Sequence, residues 1–441
     1  MCQLSPIAWP MDDIVDNAAM DTLISTWTLL FVGLLVLNAG LRFWLDGRQM
    51  KHVQLNRDKV PMPFQNTIDL ASHQKAADYT LAKLRLGQVE MFWGLFCLLG
   101  WTLLGGLHHL NQWLQHWIGT GFWQSMALVA GMGLIQSLLD LPLSWRRTFK
   151  VEAQFGFNRT TPSLWWSDLI KGWLVSGLLI GPLAALIIGI MDHSQGLWWL
   201  WAWIVWVVFS LLMMVVYPTW IAPRFNRFEP LQQPDLAEDV SALMSRCGFQ
   251  AKGFFVMDGS KRSAHANAYF TGLGRSKRVV FFDTLLSSLS RAEVMAVLAH
   301  ELGHFKCGHI PKRMFKLYGL TLVALAILGY LAEQPWFYMG LGVSPNLDSS
   351  NSALALILFA LSAPLVTLPL APWMSQQSRS DEFEADAYAS GQTNGGDLAN
   401  ALVKLYKDNA STLTPDPLYV RFFYSHPPAT ERLARLMAPG Q

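Results

Sequence analysis

Charge is scarce in this 441-residue chain. Asp, Glu, Lys and Arg together make up 15% of it, against roughly 25% in ordinary soluble domains. With a formal net charge of +2 there is no global basic field to gather a nucleic acid. Cysteine is scarcer still. Cys2, Cys97, Cys247 and Cys307 stand far apart and form no Cys-x-x-Cys pair, which excludes a disulfide framework and a cysteine zinc site. What abounds is apolar. Hydrophobic residues reach 52%, tryptophan alone numbers 20, and mean hydropathy is +0.26. Disorder and collagen-like repeats are excluded, and the length cannot be read as about three soluble domains.

Apolar runs of about 20 residues, long enough to cross a ~30 Å hydrocarbon core, recur seven times: Leu23–Trp44, Met91–Leu110, Trp123–Leu143, Ile170–Met191, Leu197–Trp220, Leu317–Tyr338 and Ala353–Trp373. The second and sixth are interrupted by Gly or polar residues. The first is not a cleavable signal peptide, because Asp12, Asp13, Asp16 and Asp21 precede its apolar body and no basic region leads it. The cations then fall into four blocks. Arg42–Arg85 holds eight, Arg146–Lys171 five, Arg224–Lys316 fourteen and Arg379–Arg435 six, which accounts for all 33. Seven spans place every block on one side of the bilayer. The positive-inside rule makes that side cytoplasmic, with the N-terminus outside and the C-terminus inside. Trp113, Trp117, Trp123, Trp198, Trp199 and Trp201 cluster at the outer ends of spans, as an aromatic belt does.

Between spans five and six, residues 223–316 are too many for a simple loop and read as a folded domain. The division expected is 1–222 for spans one to five, 223–316 for this insert, 317–373 for spans six and seven, and 374–441 for a tail that completes the domain. Leu236–Cys247 has helical periodicity. Gly253–Met257, Ala266–Thr271 and Arg278–Phe282 read as strands, the last two joined by a Gly-bearing turn over Gly272–Lys277. A small antiparallel sheet followed by a helix is expected. Ser290 and Glu293 form a capping box for that helix, which then carries His300-Glu301-Leu302-Gly303-His304. Residues i and i+4 share a helix face, so the two imidazoles converge on one ion. Glu301 stands beside the first of them, placed to take a proton from a water activated there. Apolar neighbours (Ala296, Val297, Leu298, Phe305) argue against two merely solvated histidines.

A third ligand is sought downstream. Glu382 and Asp386 are i, i+4 on one helical face, giving one ligand oxygen and one acceptor for the free nitrogen of a ligand histidine. Glu384 and Asp381 remain rivals to Glu382. Near the end of the chain, Ser425-His426-Pro427-Pro428 leads into a helix with Arg432. His426 and Arg432 are candidate donors to an oxyanion. His309, five positions beyond His304, does not share the ligand face of a continuous helix.

Together these features resemble the type I CAAX prenyl endopeptidases, integral-membrane zinc proteases of the gluzincin kind. The resemblance rests on HELGHFKCGH, the Glu-Phe-x-Ala-Asp segment and the terminal Ser-His-Pro-Pro. Phe155–Lys171, Tyr217–Phe228 and Asn267–Leu286 match as well, so it spans nearly the whole chain. It implies seven transmembrane helices in a hollow barrel around a water-filled chamber, with a zincin-like domain on the cytoplasmic side. It implies one Zn2+ per chain held by His300, His304 and Glu382, with Glu301 as catalytic base and Asp386 behind a histidine ligand. It implies that His426 and Arg432 stabilise the oxyanion or position the substrate. Asn267, Ala268, Tyr269 and Phe270 would pair with substrate backbone as an added strand. The substrate is then a peptide or protein, prenylated at a CAAX C-terminus, and the partners are that substrate and the lipid bilayer, with no nucleic acid. No catalytic residue is missing, so an active enzyme is expected. A rival within enzymes is a stress-response membrane protease indifferent to prenylation. A seven-span receptor or transporter, the rival from another class, has no reason to carry the His-Glu-x-x-His helix. An intramembrane protease would set that motif inside a full apolar span, but Arg291, Glu293, Lys306 and Lys312 bracket it. The chain shows no retrieval tail, and a bacterial inner membrane is the expected location, or the endoplasmic reticulum in a eukaryote.

Overall fold

The computed structural model describes residues 17–194, 196–272 and 276–437. Cys2, the acids Asp12, Asp13 and Asp16, the centre of the Gly-bearing turn (273–275) and residues 438–441 lie outside them. In hydrocarbon, backbone polar groups must be satisfied within a helix, and the apolar runs do become helices: α1 (Asn17–Leu55), α2 (Leu70–Trp101), α3 (Gly106–Ile118), α4 (Phe122–Arg146), α5 (Pro162–His193), α6 (Trp198–Val216) and the short α7 (Ala222–Phe225). A π-helical turn ends α4 at Arg147–Glu152, and another joins α6 to α7 at Tyr217–Ile221.

Among the described residues six helical stretches are long and apolar enough to cross a membrane, the last running over Ser352–Gln392, and a bent pair is a seventh if it counts as one span. That pair covers the interrupted apolar run expected over Met91–Leu110. α2 and α3 meet at 48°. Gly105 stands at φ 79°, a left-handed conformation that suits glycine. At Gly106 a Cβ would lie 2.5 Å from the Gly100 carbonyl oxygen. The glycines that interrupted the apolar pattern are the hinge.

Inside the domain come β1 (Phe228–Pro230), α8 (Pro234–Arg246), β2 (Gln250–Met257), β3 (Ala268–Thr271), β4 (Ser276–Phe282) and α9 (Asp283–Ser288). The β3–β4 hairpin is antiparallel as expected, but the sheet as a whole is mixed, in the order β1-β2-β4-β3 with β2 parallel to β4. Val279, Val280 and Phe281 are at most 3% exposed. A continuous apolar run buried on both faces belongs in the middle of a sheet, so β4 lies against β2 and β3 is left at the edge.

The metal-motif helix, α10 (Arg291–Lys306), is followed at once by α11 (His309–Leu331), the sixth span. Then come α12 (Pro335–Met339), α13 (Ser352–Ser362), α14 (Ala371–Gln392), α15 (Gly395–Asp408), α16 (Pro417–Phe423) and α17 (Ala429–Leu436). Pro364 and Pro369 stand in the tight turns between α13 and α14, where missing N–H donors break a regular helix, and Pro372 sits in the first turn of α14.

Only 6% to 33% of the residues in each apolar window are buried. Large apolar side chains such as Leu29, Val36, Leu174 and Leu178 stand exposed on them, as surfaces that meet lipid do. A cavity of about 870 Å³ opens between α1, α2, the π-helical turn after α4 and the residues that follow the last span, with Arg42, Asp46, Lys83, Glu152, Asn267 and His426 on its walls.

Candidate metal centre

α10 is enclosed on almost every side. Val294, Ala296, Leu298, Ala299 and Leu302 are at most 2% exposed. Its start is the expected capping box: the Ser290 hydroxyl accepts from the Glu293 N–H, and the Glu293 carboxylate accepts from the Ser290 N–H at 2.7 Å. Lys404 of α15 donates to the same carboxylate at 2.7 Å, tying α10 to the C-terminal helices.

Gly303 brings the third candidate ligand in. A Cβ there would stand 3.1 Å from both the Cα and the carbonyl oxygen of Ala385, and 3.3 Å from the Tyr388 Cβ. Without one, α14 lies directly on α10. Glu382 then reaches the histidine pair: its Oε2 is 3.3 Å from His300 Nε2, and its Oε1 is 3.3 Å from His304 Nε2. The two Nε2 atoms are themselves 3.3 Å apart. For metal–donor bonds of about 2.0–2.1 Å, two corners of a tetrahedron stand about 3.3 Å apart. Glu382 Oε2 is buried with no hydrogen-bond partner among the described residues, as an oxygen reserved for an ion would be. The donor set fits a divalent metal. The rivals to Glu382 are engaged elsewhere: Asp381 accepts from Arg313 at 3.0 Å, and Glu384 Oε2 lies 3.0 Å from His309 Nε2.

Behind His300, Asp386 Oδ1 lies 2.8 Å from Nδ1. Arg432 donates to Asp386 through Nε at 2.8 Å and through Nη2 at 2.5 Å, while its Nη1 lies 3.8 Å from Glu382 Oε2. Arg432 is 5% exposed, and its fork is occupied chiefly by Asp386. This is a carboxylate–histidine pair of the kind that orients a ligand imidazole. Asp386→Asn is expected to lower metal affinity about 10- to 100-fold and to lower the melting temperature, since Arg432 would be left as a buried charge without its counter-ion. Titration against a competing chelator, with thermal unfolding alongside, checks both; unchanged affinity would mean that the His300 tautomer is set without Asp386.

His426 behaves differently. Its side chain is 62% exposed, with Nε2 3.5 Å from Glu382 Oε1 and Nδ1 2.9 Å from the Ser425 hydroxyl. His426 and Arg432 both line the large cavity. Loss of solvent around Glu301 pushes its carboxyl above the usual carboxylate range, against the pull of His300 and His304. A raised carboxyl pKa suits a group that takes and returns a proton near neutrality.

Of the four residues expected along a substrate strand, Asn267 alone lines the cavity. Ala268 is buried, Phe270 packs against Phe305 of α10 with ring centroids 6.0 Å apart, and Tyr269 faces a separate cleft with Lys252 and Arg278. The β3 backbone itself lies at the sheet edge. His309, set aside in the sequence as lying round the helix from the ligand face, is not on α10 at all. The helix stops at Cys307, Gly308 turns the chain at φ 69°, and His309 Nδ1 lies 2.9 Å from His304 Nδ1. A break that a single glycine makes between two helical patterns leaves no periodic signal, and the His-His contact was missed for that reason.

The comparisons agree over nearly the whole length. Residues 49–227 match the CAAX prenyl protease N-terminal family model, described by five membrane helices, and residues 230–439 match peptidase family M48. "CAAX prenyl protease 1" of Saccharomyces cerevisiae is 33% identical over 437 residues, covering 93% of this chain and 95% of the relative. An Arabidopsis thaliana homologue of that name is 32% identical over 91% of this chain and 95% of its own. The crystal structure of S. mikatae Ste24p superposes with a TM-score of 0.87 at 30% identity, covering 93% of this chain and 99% of that one. These relatives are eukaryotic and give no support to a bacterial source. Identity at this level over both halves, on the same architecture, shows that the chain belongs to the CAAX prenyl protease branch of peptidase family M48: it is an integral-membrane metalloendopeptidase acting on a peptide or protein substrate.

Proposed function

We propose that this enzyme cleaves the C-terminal CAAX segment of prenylated proteins, with one zinc ion per chain and with its active site on the cytoplasmic face. The observation that carries the chemistry is the convergence of His300, His304 and Glu382: the two Nε2 atoms stand 3.3 Å apart, and each lies 3.3 Å from one oxygen of the Glu382 carboxylate, beside the cavity that His426 lines. The relatives' names supply the substrate class. The confinement of all 33 cations to one set of loops supports the orientation, N-terminus outside and C-terminus inside. In a bacterium that membrane is the inner one; in a eukaryote it is the endoplasmic reticulum. Residues 1–222 and 317–373 are assigned to the membrane region, and 223–316 with 374–441 to the protease.

Zinc held by His300, His304 and Glu382 would polarise the scissile carbonyl and make an attacking water more acidic. The chain's own groups do the rest. Glu301 removes the proton from the attacking water and returns it to the leaving amine. His426 donates to the oxygen on which charge develops. Arg432 holds Asp386, and Asp386 holds the His300 ring. The β3 edge, starting at Asn267, pairs with the backbone of the extended substrate.

The test is cleavage of a farnesylated CAAX peptide beside the same peptide unprenylated, by the purified full-length enzyme. A higher kcat/KM for the farnesylated peptide is expected. Equal cleavage of both would replace the prenyl-dependent reading with a quality-control protease and leave the chemistry standing.

A further inference from the structure

His309 is 1% exposed, and the mechanism above does not use it. Both of its ring nitrogens are engaged. Nδ1 lies 2.9 Å from Nδ1 of His304, and Nε2 lies 3.0 Å from Oε2 of Glu384. Asp381 stands 3.9 Å from the same Nε2 but belongs first to Arg313, at 3.0 Å.

With His309 neutral, these contacts admit one consistent set of protons. The Glu384 carboxylate is half-exposed and accepts only, so His309 Nε2 carries a hydrogen. A neutral His309 then has a bare Nδ1, which accepts, so His304 Nδ1 must be the donor. The nitrogen left without a proton on His304 is Nε2, the one that faces His300 and Glu382. The tautomer that a metal ligand requires is thus selected from two residues away.

We infer that Glu384 and His309 form a carboxylate–imidazole relay that positions His304 as a metal ligand, the counterpart of Asp386 behind His300. Both are positioning residues. The local sequence builds the relay. Gly308 in the left-handed conformation ends α10 and makes His309 the first residue of α11, which sets it against the rear of His304. Glu384 arrives on α14, two residues past the ligand Glu382. The inference rests on reading His300, His304 and Glu382 as the metal ligands.

The same side chains raise one alternative. Donor atoms of Cys307, His309 and Glu384 all lie within 4.8 Å of one another, close enough to hold a second cation. Proton placement disfavours it. A cation on His309 Nε2 would force the proton onto His309 Nδ1, opposite the Nδ1–H of His304, setting two donors face to face at 2.9 Å.

The experiment uses the purified full-length enzyme stripped of metal and refilled. Zinc dissociation constants come from competition with a chromogenic chelator, and cobalt-loaded protein reports ligand geometry through its visible bands. His309→Ala is expected to weaken zinc binding about 10- to 100-fold, the usual effect of losing a group behind a metal ligand, and to shift the cobalt bands. Glu384→Gln should act in the same direction but less. His309→Asn, whose Oδ1 falls near the lost Nδ1, should restore most of the affinity, which a purely structural role would not predict. Unchanged affinity and spectrum in both His309→Ala and Glu384→Gln would overturn the relay. Two zinc ions in the wild type falling to one in His309→Ala would overturn it in favour of a second ion. If His309→Ala fails to fold, Glu384→Gln at its half-exposed position decides. His304→Ala separates the two levels: wild-type zinc affinity there would overturn the ligand reading itself, whereas zinc lost there but kept in the other two variants would overturn the relay alone.

Discussion

Replacing Glu301 by Gln is expected to leave the metal in place and to remove hydrolysis, with kcat/KM falling about 10²- to 10⁴-fold, the range for loss of a general base. The separation of the two effects follows from the geometry. The donor atoms that converge come from His300, His304 and Glu382, with the two Nε2 atoms 3.3 Å apart and each 3.3 Å from one Glu382 oxygen, and Glu301 is not among them. Gln has nearly the same volume as Glu, so the enclosed helix keeps its packing. What it loses is the capacity to hold a proton between attack and departure of the amine. The pH profile carries a second signature. Loss of solvent raises the Glu301 carboxyl above the ordinary carboxylate value, and a base acts only when deprotonated. The wild-type rate should therefore fall with decreasing pH through a midpoint above about 4.3, the unperturbed Glu value. Residual activity of the Gln variant should lack that limb. Zinc content by atomic absorption, with cleavage of the farnesylated peptide across pH, checks all of this; wild-type turnover by Glu301→Gln would remove Glu301 from the mechanism.

The parts of this molecule that sequence made legible are those set by local spacing. The His300–His304 pair needs only the i, i+4 geometry of one helix, and its start is written in Ser290 and Glu293. Membrane crossing needs only length and apolarity. The obscure parts depend on which elements meet. Asp381, Glu382 and Glu384 are indistinguishable as candidate ligands along the chain, yet they serve Arg313, the histidine pair and His309 respectively. Their sorting depends on how α14 lies across α10 and α11. The order of the sheet was hidden for the same reason. The β3–β4 hairpin is local, but the parallel pairing of β2 with β4 is decided by the need to bury Val279, Val280 and Phe281 on both faces. Arg432 was legible as a basic residue facing the site. Its commitment to Asp386 was not, because 46 residues separate the partners.

Gly303→Val is expected to dismantle the centre without touching any ligand. A Cβ at position 303 meets the Cα and carbonyl oxygen of Ala385 at 3.1 Å. These are backbone atoms of α14, and no rotamer change relieves the contact. Valine adds two further methyl groups on a branched, stiff Cβ. Either α14 moves away or the enclosed α10 does, and overpacking of this kind costs about 1–3 kcal/mol of stability. Glu382 stands three residues before Ala385 on the displaced helix, so its carboxylate leaves the histidines as the helices part. A misplacement of about 1 Å in a catalytic constellation can cost about 10²-fold, and here the ligand set itself is opened. The expected result is a zinc affinity at least about 10²-fold weaker by chelator competition, with peptide cleavage lost in parallel and a lower melting temperature. Gly303→Ala should show the same pattern in smaller measure, because one methyl group demands a shift of only a few tenths of an ångström. A valine variant that kept full zinc occupancy and wild-type cleavage would show that α14 reaches the histidines without the close approach over Gly303, and that the third ligand is held by the α15 and α17 contacts instead.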